Sequence, residues 1–161
     1  MLTKFENLPD DSRIWIYQAN RKLTDDEVTD MANQTANFLE QWTAHGAHLE
    51  AGFEIRYNRF LIIGLNQANA SASGCSIDTS VRFVQSLENA YGIDLLDKMN
   101  VTFYTGAYIA YKPLDEFKKM ARARSISGNT VVFNNLVTSK AEYLEYWEIP
   151  ASDSWHSRFL A

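Results

Sequence analysis

The order of its patterned segments predicts an α+β fold for this chain. Three observations carry that expectation. The first six elements run strand, helix, strand, strand, helix, strand. One long amphipathic helix has an unmistakable start, and the segment 53–65 alternates and then becomes continuously apolar. A β-α-β-β-α-β order is that of the ferredoxin-like split βαβ: an antiparallel sheet with its helices on one face. Here it would be extended by a C-terminal α/β segment and an aromatic tail.

Arg13-Ile14-Trp15-Ile16-Tyr17 reads as a short strand. Thr24-Asp25-Asp26-Glu27 is a capping box, with Leu23 and Val28 set for a hydrophobic staple across it. Val28, Met31, Ala32, Thr35, Phe38, Leu39 and Trp42 then recur at helical spacing, and Gly46 is placed to cap the end. Phe53, Ile55 and Tyr57 alternate with Glu54 and Arg56, the pattern of a half-buried strand. Asn58-Arg59 turns it back into Phe60–Leu65, whose unbroken apolar run calls for cover on both faces. A second helix begins near Ser76, turns Ile77, Val81, Val84, Leu87 and Tyr91 inward, and stops at Gly92. Val101–Tyr104 and Tyr108–Tyr111 are extended. Pro113 opens a third helix, Leu114 to about Arg122, where its missing N–H does no harm. Thr130–Phe133 is a further strand, Thr138 caps a short last helix, and the aromatic tail from Trp147 to Phe159 packs back on the body.

No repeat, low-complexity tract or Pro/Gly-rich linker interrupts the 161 residues, so residues 1–161 read as a single globular domain. Hydrophobic residues make up 46% of the chain, enough for a packed core without disordered tails. A formal charge of −5 argues against a general nucleic-acid partner, which needs a net basic face. No apolar run approaches the roughly 20 residues of a membrane span, and the first residues lack a signal-peptide core. A lone cysteine excludes an internal disulfide and suits a reducing cytoplasm.

That cysteine also marks the most promising site, Ser71-Ala72-Ser73-Gly74-Cys75-Ser76-Ile77-Asp78, where a strand gives way to a helix. A helix start offers unpaired N–H groups and the positive end of the dipole, so Ser73, Gly74, Ser76 and Asp78 are binding candidates for an anion or small molecule, with His45 beside them. Thiol chemistry needs a thiolate, a base, a group to orient the base, and oxyanion donors. Cys75 would be the nucleophile, His156 or His45 the base, and Asn135, Asn134 or Asp78 the orienting group. A buried cysteine acting as a small hydrophobe is the plainer alternative. Metal binding finds no spaced Cys/His set, since His45 and His48 flank Gly46 and His156 is remote. The segment 112–124 carries Lys112, Lys118, Lys119, Arg122 and Arg124 against Asp115 and Glu116, a charge run whose ordinary role is a solvated face.

Three stretches taken together have the look of a known group: Trp42-Thr43-Ala44-His45-Gly46, Ser73-Gly74-Cys75-Ser76-Ile77-Asp78, and Asn134-Asn135-Leu136-Val137 with Ser154-Trp155-His156. Over nearly its whole length the chain resembles small uncharacterised bacterial proteins labelled "ABC transporter ATPase". The resemblance implies no reaction and no catalytic residue. The label itself does not suit these residues: no G-x-x-x-x-G-K-[ST] loop is present, so no specific Mg-ATP binding is expected.

The sequence thus leads first to a small cytoplasmic binding module with its site at Gly74–Asp78 and no cofactor. A thiol-dependent hydrolase or acyl-transfer enzyme comes second. A structural or adaptor protein, docking a partner through its aromatic tail or pairing with itself, comes third.

Overall fold

A computed structural model describes residues 1–161. The chain divides into two compact units, Met1–Leu96 with Thr138–Ala141, and Asp97–Val137 with Glu142–Ala161.

In the first unit, strand β1 (Arg13–Gln18) leads to helix α1 (Asp25–Gln41). The Thr24 hydroxyl accepts from the Glu27 N–H, and the Glu27 carboxylate accepts from the Thr24 N–H, so the capping box forms as read. The helix ends at Gln41, earlier than expected, with Trp42 already extended. Gly46 does not cap it. It turns a small hairpin of β2 (Thr43–Ala44) and β3 (Ala47–His48), in which His45 and Gly46 both have positive φ, 51° and 78°. Such a two-residue turn requires left-handed backbone, which glycine supplies without strain.

Strands β4 (Glu50–Arg56) and β5 (Phe60–Asn66) form the expected hairpin, and β5 inserts between β4 and β1, antiparallel to both. This is the split βαβ. One face of β5 gives Leu61, Ile63 and Leu65 to a core shared with Tyr17, with Met31 and Leu39 of α1, and with Val84 and Leu87 of α2 (Gly74–Tyr91). On its other face Phe60 and Ile62 are buried, and Gly64 lies so close to Phe5, Leu8 and Ile14 that a Cβ there would meet the Leu8 side chain at 2.6 Å. Both faces are therefore covered, as the continuous apolar run required.

The buried residues of α2 are Ser76, Ser80, Val84 and Leu87, so its inner face is turned from the expected one, leaving Ile77 and Val81 only half-buried. Two serines tolerate the interior because their hydroxyls donate to carbonyls of their own helix: Ser76 to Ser73 at 2.9 Å and Ser80 to Ile77 at 2.6 Å. Phe38 and Phe83 stack with ring centroids 4.4 Å apart, joining α1 to α2. Gly92, at φ 62°, ends α2 as read.

The sixth element departs from the ferredoxin-like order. Instead of pairing with β1, β6 (Asn100–Thr105) enters the second unit's sheet with β7 (Tyr108–Pro113), β8 (Val131–Phe133) and β9 (Glu148–Pro150), in the order β7-β6-β8-β9. The edge of β1 that a fourth strand would take is met by the returning segment: the Ile14 N–H donates to the Thr138 carbonyl, and Arg13 bridges Ser139. All three sheets are antiparallel, and the α+β class holds.

Helix α3 (Leu114–Arg122) starts just after Pro113 and puts Phe117 and Ala121 into the second core with Val101, Phe103, Ile126 and Val132. The last helix, α4, spans Lys140–Tyr146, two residues beyond Thr138. Its first N–H groups donate to Ser12 and Asp10 carbonyls. The aromatic tail folds back within its own unit, with Trp155 and Phe159 against that core.

Candidate functional site

Helix α2 begins at Gly74, two residues before the expected start, because Ser73 caps it. The Ser73 hydroxyl accepts from the Ser76 N–H at 3.1 Å, and the Ser73 N–H donates to Ser76 Oγ at 2.7 Å. The usual sequence signature has Glu or Gln at the second position, so a serine pair escapes notice. The turn is fixed from outside too, since Trp42 Nε1 donates to the Ser76 carbonyl at 2.9 Å.

Four N–H groups open any helix without intrahelical acceptors. Here the Ser73 N–H meets Ser76 Oγ and the Ser76 N–H meets the Ser73 hydroxyl. Those of Gly74 and Cys75 meet no protein acceptor. Both residues are exposed, and the space where a Gly74 side chain would stand is open. Asp78 is exposed one turn on and forms no ion pair. The Cys75 thiol is exposed as well, so the buried-hydrophobe alternative does not describe it.

The candidates for the rest of a thiol machinery lie elsewhere. His156 belongs to the second unit and has no exposed surface. Its ring sits 3.9 Å from Trp155 and 5.5 Å from Phe117, centroid to centroid, and its Nδ1 is 2.7 Å from Ser154 Oγ. Burial drives its pKa down to about 4, so the imidazole is neutral at pH 7. Asn135, also in the second unit, accepts from Trp147 Nε1 at 2.9 Å, which ties it to the tail. His45 is exposed at the tip of the β2–β3 hairpin, and no hydrogen bond joins it to Cys75.

A shallow, open cleft of about 330 Å³ lies at the other end of α2, lined by Asn20, Glu88, Asn89, Gly92, Ile93 and Asp94. Its carboxylates are engaged in structure: Glu88 accepts the Leu95 and Leu96 N–H groups, while Asp94 and Asn20 bond each other. No group of three or more His, Cys, Asp or Glu side chains is placed to hold a metal ion. No helix is long and apolar enough to cross a membrane.

Lys140 was given no role by its sequence context. It is buried in the first unit, where its Nζ donates to the Glu6 and Leu8 carbonyls at 3.1 and 2.7 Å. No protein-family model matches the chain, and neither does any curated protein or solved structure.

Proposed function

We propose that this chain is a binding protein rather than a thiol enzyme, and that it takes a small anionic group on the first turn of α2. One observation carries the reading: the Gly74 and Cys75 N–H groups stand exposed, without protein acceptors, at the positive end of an 18-residue helix. Such a terminus favours an anion by up to about 1 kcal/mol at an exposed position, beyond the hydrogen bonds themselves. Asp78 and the acidic charge of the chain oppose it, so affinity is expected in the millimolar range for inorganic anions. The thiol reading draws on the exposure of Cys75, but His156 has no surface from which to take its proton.

The test is a titration of ¹⁵N-labelled protein with sodium sulfate at constant ionic strength. Saturable shifts confined to the Gly74 and Cys75 amides are expected. Shifts that never saturate, or that spread evenly over all helix starts, would remove the reading.

A further inference from the structure

We infer a second recognition surface, in the other unit and independent of the α2 turn: a cation cluster around Phe159 that fits an acidic segment of a partner protein. The Lys118 ammonium lies 5.0 Å from the Phe159 ring centroid, and the Arg158 guanidinium carbon lies 5.9 Å from it. Arg122 follows Lys118 by one turn of α3, and Lys119 adjoins it.

The unit as a whole is close to neutral. It holds seven Lys/Arg and seven Asp/Glu. Of the basic residues only Lys112 makes an ion pair, with Glu116 at 3.5 Å. The side chains of Lys118, Lys119, Arg122 and Arg158 have neither an ion pair nor a hydrogen bond to another residue. Asp115 and Glu116 precede the first three of them on α3; Glu116 pairs with Lys112, and Asp115 makes no ion pair. Lys118 and Arg158 are thus held at one aromatic ring with no ion pair to either. Cation–π contact offsets part of their repulsion, and an incoming row of carboxylates would offset the rest.

The chemistry of the surface favours a peptide over a polyphosphate. Phe159 and Leu160 are half-buried and offer apolar contact beside the charges, as a peptide side chain would use.

Titration of the full chain with a hexaglutamate peptide, followed by fluorescence anisotropy of a dye on the peptide, tests this. Saturable binding is expected, weakening as salt is raised. Lys118→Gln with Arg158→Gln should weaken it about tenfold, whereas Lys98→Gln with Lys112→Gln, an equal loss of charge in the same unit, should change it less than about twofold. Circular dichroism confirms that each variant is folded, and Lys118→Gln alone gives an intermediate loss if the double variant is not. Equal weakening by both pairs would show only net charge at work and overturn the assignment. Tighter binding of an oligothymidylate of matched charge would overturn the choice of partner. Sulfate shifts at Gly74 and Cys75 that persist in the double variant separate this result from the α2 reading.

Discussion

The two units reach a closed core by different means. In the first, long amphipathic helices lie on one face of a sheet, and the interior is mostly aliphatic: Leu39, Leu49, Leu61, Ile63 and Leu65 are almost wholly enclosed. In the second, the sheet is accompanied by two short helices, α3 and most of α4, and by 3-10 turns, and aromatic rings fill the space. Phe117 alone touches Phe103, His156 and Phe159, at centroid separations of 5.4, 5.5 and 6.4 Å. Charge divides as well. The first unit carries eight Lys/Arg against thirteen Asp/Glu, and the second is balanced. Periodicity builds a core from elements that are regular before they pack. Ring packing builds one from segments too short to be regular alone.

The comparison can be broken most forcefully at Phe117. Phe117→Ala should cost about 4 kcal/mol, the usual loss for emptying an enclosed aromatic site. Native-state hydrogen exchange should show protection lost at Val101–Phe103 and Val131–Phe133 but kept at Leu61–Leu65. Equal loss in both sheets would mean that the two cores open as one energetic unit.

Acid should separate the units next. The folded pKa of His156 lies near 4, below its ordinary 6.5, so between those values the unfolded chain binds a proton that the native state refuses. Stability from this group is therefore complete above about pH 6.5 and falls as pH drops toward 4, by about 3 kcal/mol. In the first unit the Arg21 guanidinium beside Glu27, helped by the Thr24 N–H, holds that carboxyl down at about 2. Its contribution, complete above about pH 4.5, is lost progressively as pH falls from there to about 2. Urea midpoints at pH 7 and 4.5 should differ strongly for the native chain and much less for His156→Phe. Identical pH slopes would remove His156 as the cause.

The smallest effects concern the two capped helices. Thr24→Ala should cost about 1 kcal/mol, because the hydroxyl bond goes and the Glu27 network loosens. Ser73→Ala should cost no more than that, since Trp42 still holds the turn through the Ser76 carbonyl. A larger loss at Ser73 than at Thr24, read from denaturant midpoints, would reverse this order.

What the sequence made legible follows from locality. The α1 cap, the Gly92 stop, the β4–β5 hairpin and the placement of α3 after Pro113 each depend on residues within a few positions of one another. The destination of β6 does not, since its hydrophobic pattern fits either sheet. The inner face of α2 was hidden by serines that satisfy their hydroxyls within the helix and so pass as interior residues. Gly46 was a sound cap by type, but Trp42 leaves the helix first and the glycine serves a hairpin instead. At the candidate site, the helix start and the exposed thiol belong to one short segment. His156 and Asn135 were joined to it by residue type alone, and the structure uses both in the packing of the other unit.

The return of residues 138–141 to the first unit has a consequence for synthesis. As the chain emerges, β1, α1, β4, β5 and α2 are all available by Tyr91, yet the free edge of β1 and the Glu6 and Leu8 carbonyls must wait for Thr138 and Lys140. Everything between Leu96 and Thr138 has to leave the ribosome first. At about 5–20 residues per second that is a delay of some seconds, during which an exposed strand edge is open to wrong pairing.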